Sequence, residues 1–320
     1  MYRLLADILN DAAFILDCLS PAFPKAIRVI ILSFSSLLRA LCGVAAGSAK
    51  ASLSAHFARW GNLGELNAKD SSQETVISLM GMLVGSAIVP MVKSSFATWT
   101  LLILLLSIHL ETNRRAVRAI AMRSLSRQRA TLVYHHLIRN HVPTPKEISH
   151  EERIFERDGV LRDVGGTNRG HCVVGASLQD LLRSDAVANH STGAMTLRNG
   201  LLQRIVDIYS DQGYILWPAT QSVKADLRIA LKKEATPKDI LIAWWQACAM
   251  ASGPIGGYSP SKSLREMEDE EASMILRLQD SARQAKDLLR EHEESLTSAG
   301  WELGTAALET RTSTRISVAI

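Results

Sequence analysis

Two uncharged apolar runs separated by one lysine constrain this chain more than any other feature. Thr75–Val92 (TVISLMGMLVGSAIVPMV) is 18 residues long; Lys93 follows, and then Ser94–Leu110 (SSFATWTLLILLLSIHL) adds 17. Each lies at the short end of the roughly 17–25 residues with which a helix crosses a bilayer core. Such runs must enter lipid or be buried by protein. A third apolar stretch, Val29–Ala49, is interrupted by Arg39. A charge at the centre of a span costs about 2.5–3.5 kcal/mol on insertion scales, which predicts that this piece packs on protein or lies at an interface.

Pro90, Lys93 and Ser94–Ser95 mark a turn, so the two long runs read as a helical hairpin. Gly43 with Gly47, and Gly81 with Gly85, place two glycines on one helix face, where another backbone can approach closely. Ordinary tight helix pairs use glycine in the same way. No glycine or proline occurs between Ser94 and Asn140, which predicts a helix running well past the apolar residues. That extension carries Arg114, Arg115, Arg118, Arg123, Arg127 and Arg129. Lys50, Arg59 and Lys69 precede the hairpin and only Lys93 sits at its tip. The positive-inside rule therefore puts both hairpin ends on the cytosolic, matrix or stromal side. A solvated helix face is the simpler reading of these arginines. A nucleic-acid footprint lacks interleaved aromatics, and no nucleic-acid partner is expected.

The N-terminus, MYRLLADILNDAAFILDCLSPAFPK, has three aspartates and fits neither a signal nor a transit peptide. Its spacing (Leu4, Leu5, Ile8, Leu9, Ala12, Ile15, Leu16) predicts an amphipathic helix ending near Pro21. Gly61–Glu74, GNLGELNAKDSSQE, is the most distinctive polar block. Ser71 and Glu74 match a Ser-x-x-Glu capping box, so Asp70 or Ser71 is expected to start the next helix. Lys69, Asp70, Gln73 and Glu74 exceed what a cap needs. Folded inward, they would have to pair with one another or with Arg115 and Arg118.

RLLADILND (3–11), GNLGELNAKDSSQETVISLMGMLVGS (61–86), HLETNRRAVRA (109–119) and SLSRQRA (124–130) occur in that order. Together they resemble the root UVB sensitive (RUS) family over residues 3 to about 145. The resemblance implies a membrane-associated protein without an established enzymatic reaction. In plants it implies plastid proteins linked to seedling development, root light response and vitamin B6 homeostasis. By position, the family's polar motif falls on Ala68, Lys69, Asp70, Ser71, Ser72, Gln73, Glu74 and Thr75, and its arginine motif on Asn113, Arg115, Ala116, Val117 and Arg118. Two positions usually aromatic in relatives are Glu111 and Arg114 here; Glu111 and Arg115 have the i,i+4 spacing of a helical ion pair. The chain begins where relatives are already well into the domain, so an N-terminal segment of the relatives is missing, as in a shortened family member or an incomplete gene model.

Charge divides the chain. Residues 1–150 carry 16 Lys and Arg against 8 Asp and Glu, and the remainder 20 against 24. Four separated cysteines, with no C-x-x-C, exclude a disulfide scaffold or a cysteine-rich zinc module. VPTPKEISHEER reads as a linker. Beyond it, HCVVGA, YILWPA and ADLRIAL read as strands, and SLQDLLRS, Leu201–Tyr209, Pro237–Met250 and Ser263–Ala299 as helices, the last stopped by Gly300. Asp185–Gly200 reads as a loop, and TSTRISVAI as a final strand.

VGGTNRG (164–170) has no phosphate-loop frame, and His135, His136, His141 and His150 lack zinc spacing and read as surface or interfacial. His171 and Cys172 alternate faces in a strand, against a nucleophile–base pair. No catalytic residue, metal or cofactor is assigned.

The sequence thus describes a mainly α chain: an N-terminal helical membrane domain (1–142), a linker (143–170) and a small α+β soluble domain (171–320). Its expected functional positions are Lys69, Asp70, Ser71, Gln73, Glu74, Asn113, Arg115 and Arg118, with Gly43, Gly47, Gly81 and Gly85 for helix packing. Expected partners are membrane lipid and a second copy or a paralogous RUS protein, in an organelle the sequence does not name. The leading reading is a non-enzymatic binding, scaffolding or vitamin B6-related homeostasis role. An oligomeric transporter with a polar site near Asp70, Glu74, Arg115 and Arg118, or a soluble helical interaction protein, are the alternatives.

Overall fold

A computed structural model gives the fold and describes residues 2–58, 61–153, 155–185, 187–188, 195–196, 201–218, 224–253, 264–310 and 314–317. Arg59, Ser263 and much of 186–200 and 311–320 lie outside the described residues. Of the described residues 68% are helical. The chain forms two compact units, Met1–Ile120 and Ala121–Ile320.

The first unit contains helices only: α1 (Tyr2–Leu19), α2 (Lys25–Phe57), α3 (Leu63–Ile88) and α4 (Ser95–Ala119), with 3-10 turns at Ser20–Ala22 and Val89–Met91. The amphipathic α1 buries Leu4, Ala6 and Ala13 and folds back along α2. Pro21 sits in the first turn between them, and the Arg28 guanidinium donates to the carbonyls of Ser20 (3.2 Å), Pro21 (3.1 Å) and Phe23 (3.4 Å). The buried Ser35 hydroxyl donates to the Ala13 carbonyl at 3.1 Å.

Arg39 does not interrupt α2, which runs unbroken for 33 residues. Its guanidinium pairs with Asp17 of α1 and lies 5.3 Å from the centre of the Phe14 ring. The sequence reading counted two runs of membrane length. The structure has three helices long and apolar enough to cross, namely α2, α3 with its terminal turn (Leu63–Met91), and α4. None of the residues of α3 or α4 is buried; Ile77 is 69% and Phe96 82% exposed.

One helix boundary departs from expectation. α3 starts at Leu63, so Asp70 and Ser71 lie inside the helix rather than at its cap. Lys69, Gln73 and Glu74 are good helix formers, and Glu65 pairs with Lys69 one turn on at 2.7 Å, which outweighs the capping-box pattern. At the other end Ser94 caps α4, accepting from the Ala97 N–H at 3.1 Å, and α4 continues past the apolar run, as expected, to end at Ala119. Residues 120–126 are drawn off into the second unit's pairing: the Arg123 carbonyl accepts from the Glu302 N–H at 3.0 Å, and Ser124 bridges to Glu302. Ser126 then caps a new helix.

The second unit runs α5 (Arg127–Leu137), α6 (Pro145–Glu151), β1 (Val160–Arg162), β2 (Asn168–Val174), α7 (Leu178–Asp185), β3 (Val187–Ala188), β4 (Met195–Thr196), α8 (Leu201–Ile208), β5 (Tyr214–Pro218), β6 (Ala225–Lys232), α9 (Pro237–Ser252), α10 (Leu264–Ser298) and β7 (Arg315–Ile316). The sheet order is β1-β2-β6-β5, with β7 beside the end of β6. The β2–β6 and β6–β7 pairs are parallel and the β1–β2 and β5–β6 pairs antiparallel. Gly170 permits the parallel pair, since a Cβ there would lie 2.2 Å from the Ala225 carbonyl oxygen. Residues 143–170, read from composition as a linker, hold α6, β1 and the start of β2. Thr144 and Glu147 form a reciprocal capping box, and Ile148 is fully buried. The polar Asp185–Gly200 stretch contains the short β3–β4 pair.

α9 covers the sheet and α10 packs on α9. Thr236 and Asp239 form the capping box that starts α9, and Trp244 and Trp245 are fully buried from it. Their indole N–H groups donate to Thr131 Oγ1 and the Ala130 carbonyl, each at 2.9 Å. The stripe Leu278, Ala282, Ala285, Leu289 and Leu296 of α10 is buried as its spacing predicts, and Gly300, at φ +102°, ends the helix.

Candidate functional site

The polar motif lies on one exposed stretch of α3. Asp70 and Glu74 are one turn apart and converge on Lys50 of α2, whose Nζ is 2.8 Å from Asp70 Oδ2 and 2.9 Å from Glu74 Oε2. Lys69 points to Glu65. The hydroxyls of Ser72 and Thr75 donate back to the carbonyls of Ala68 and Ser71, each at 2.8 Å. Arg115 and Arg118, named as possible partners had the block folded inward, are not the cations that Asp70 and Glu74 meet. Both carboxylates meet a lysine that the sequence reading had placed only among the flanking charges.

Near the end of α4, Glu111 is the centre of its own group. Arg114 donates twice to its carboxylate (2.7 and 2.8 Å) and Arg115 once (2.7 Å), the latter being the expected i,i+4 pair. Arg118 stands in the last turn, favourable for a cation at a helix C-terminus. The six arginines are divided between the two units. Arg127 and Arg129 belong to the second unit, where Arg127 meets Asp158 at 2.8 Å and Arg129 pairs with Glu152.

Asn113 enters a network that joins two helices. His109 Nδ1 lies 3.0 and 3.2 Å from the two carboxylate oxygens of Asp11 on α1, and His109 Nε2 lies 2.8 Å from Asn113 Nδ2. The arrangement fits an imidazole carrying its proton on Nδ1, donating to Asp11 and accepting from the Asn113 amide. Asp7, one turn before Asp11, is only 8% exposed, and its Oδ2 has no hydrogen-bond partner. Burial raises its carboxyl above the usual range, with Asp11 adding to the effect and Arg3 and His109 opposing it. Sequence reasoning missed Asp7, Asp11 and His109. The signal was present: both aspartates fall on the same helical stripe as Leu4, Ile8 and Ile15, where apolar side chains are expected.

The four glycines expected at helix contacts have open space around them: no atom lies within 4 Å of a Cβ built at Gly43, Gly47, Gly81 or Gly85. In the second unit His135 is buried, not superficial, with Nε2 2.9 Å from the Arg162 carbonyl, and burial lowers its pKa. Burial pushes the Cys248 thiol up to about 12 and raises Cys172 as well, so neither is poised as a nucleophile. Asn168–Gly170, read as part of a loop, open β2. Among the described residues there is no group of three or more His, Cys, Asp or Glu side chains able to hold a metal ion.

Residues 1–141 match the family described as the vitamin B6 photo-protection and homoeostasis domain. "RUS family member 1" of Dictyostelium discoideum is 38% identical over 159 residues, 48% of this chain and 30% of that protein. "Protein root UVB sensitive 3" of Arabidopsis thaliana is 30% identical over 256 residues, 79% of this chain and 54% of its own length. "Protein root UVB sensitive 2, chloroplastic" of the same plant is 21% identical over 302 residues, 94% of this chain and 61% of that one. The chain thus spans from under a third to about three fifths of the relatives it matches. No solved structure matches it.

Proposed function

Through residues 1–141 the chain belongs to the root UVB sensitive family, and on that premise we propose that it is a membrane-associated protein of vitamin B6 homeostasis. The observation that carries the membrane part is the apolar surface of α2, α3 and α4. None of the α3 or α4 residues is fully buried within the chain, and contiguous apolar surface of that extent marks contact with lipid or another protein. With three crossings, Lys25 and Arg28 share one side with Lys93. Lys50, Lys69 and Arg114–Arg118 lie on the other, which the charge bias makes the cytosolic, matrix or stromal side.

Within this reading the polar positions act in binding and assembly. Lys50, Asp70 and Glu74 fasten α2 to α3 at the lipid boundary. The open glycine faces at Gly43, Gly47, Gly81 and Gly85 suit a second copy or a related chain in lipid, where small residues let helices approach. Transport by an oligomer is a narrower form of the same reading. Its polar site would be divided between the Lys50 group and the Glu111 group, because Asp70 and Glu74 do not pair with Arg115.

Two measurements test the proposal. Alkaline carbonate extraction should leave the full chain in the membrane pellet, and complete release would overturn membrane integration. In cells lacking the protein, pyridoxal, pyridoxamine and their phosphates should depart from wild-type amounts. They should return with the wild-type chain, and unchanged vitamer pools would overturn the homeostasis role.

A further inference from the structure

Where α1 meets α4, two carboxylates and an imidazole lie together with too few donors. Asp11 accepts the hydrogen bond that His109 Nδ1–H donates (3.0 Å), and His109 Nε2 is occupied by Asn113 (2.8 Å). Nothing on the imidazole is left for Asp7, whose Oδ2 is buried and without a hydrogen-bond partner although the residue is only 8% exposed. The charged groups that face Asp7 are Arg3 and Asp11 on α1 and His109 on α4; α2, packed along α1, contributes none among the described residues. On the α1–α2 side Arg39 is engaged by Asp17. An ionised, buried Asp7 would therefore lack donors and sit one turn from a second carboxylate, an arrangement that favours the neutral acid.

We propose that Asp7, Asp11 and His109 form a proton-binding centre in the helical unit, in which the buried, donor-poor Asp7 carboxyl is the group that takes up the proton. His109 donates to Asp11, which leaves Asp7 as the carboxyl without a donor. Release transfers that proton from Asp7 to solvent and leaves a carboxylate at the α1–α4 contact, so the contact weakens as pH rises. The centre requires only that α1 dock on α4 and does not depend on whether the helices cross a bilayer.

Infrared titration of the full chain in detergent micelles tests this. Within the protonated-carboxyl C=O absorption, one component should outlast the exposed carboxyls as pH rises, disappear on further alkalinisation and be missing in Asp7→Asn. In Asp11→Asn, loss of the neighbouring negative charge should move that component's titration midpoint to lower pH. That second variant keeps the test independent of the folding of the first. Thermal stability of wild type should fall as pH rises through the titration, and that slope should flatten in Asp7→Asn. Absence of that late-titrating component in wild type, its persistence in Asp7→Asn, or an unmoved midpoint in Asp11→Asn would each overturn the proposal. A failed carbonate extraction would leave it standing.

Discussion

His109 Nδ1 lies 3.0 Å from Asp11 Oδ1 although the two residues are 98 apart in the chain. The contact fixes the amphipathic first helix to the last apolar helix and makes residues 2–19 an integral part of the unit. His109→Leu would strip the largely buried Asp11 of its donor. A loss of about 1–3 kcal/mol is expected for an acceptor left unsatisfied. The double variant Asp11→Leu/His109→Leu should recover part of that loss, because it leaves no carboxylate behind. Urea unfolding in detergent, followed by circular dichroism, measures both.

Asp17 supplies the counter-charge for Arg39 in the middle of α2. Asp17→Asn should lower the share of α2 that inserts, since an uncompensated central arginine costs about 2.5–3.5 kcal/mol on insertion scales. Arg39→Leu should raise it whether or not Asp17 is present. A glycosylation site engineered before Lys25 reports the inserted fraction; equal glycosylation of Asp17→Asn and wild type would show that the pair does not act on insertion.

Gly170 is a tight point of the second unit. A methyl there would meet the Ala225 carbonyl oxygen at 2.2 Å, so Gly170→Ala must push β2 away from β6. Overpacking of this kind costs about 1–3 kcal/mol. The melting of residues 121–320 should shift down, with near-ultraviolet circular dichroism reporting the buried tryptophans.

His135 sets an acid limit on the same unit. Its pKa is lowered by burial, so the folded state favours the neutral ring. The stability that this provides is complete above the unfolded value near 6.5 and is lost as pH falls through the lower folded one. His135→Gln, which keeps a donor for the Arg162 carbonyl, should flatten the acid limb of a stability–pH curve while leaving neutral stability within about 1 kcal/mol.

The elements that were legible in the sequence are those governed by local pattern. Leu278, Ala282, Ala285 and Leu289 announced the buried face of α10, and the apolar runs announced α3 and α4, because period and length act over a few turns. Partners distant in the chain were not legible. Arg39 looked like a break in α2 only while Asp17 was not known to reach it. Ser71 looked like a cap because the pattern Ser-x-x-Glu does not reveal that Leu63–Lys69 is already helical. The stretch after Ala119 carried helix-forming residues, yet Glu302, far along the chain, competes for its backbone. For the candidate site, the motif positions include Asn113, Asp70 and Glu74, which hydrogen-bond or ion-pair with other side chains. Their partners His109, Asp11 and Lys50 come from other helices or from within the apolar run itself, where no local rule points to them.

Because α3 passes without a break from the polar motif into the apolar run, the two form one rigid rod of 26 residues. A turn of the apolar end about its axis is delivered undamped to the face that holds Lys50, and the register between them is fixed at about 100° per residue. One residue added between Thr75 and Val76 would swing the apolar face by that angle away from the carboxylates. The motif and the segment beyond it are therefore phased like cams on a single shaft.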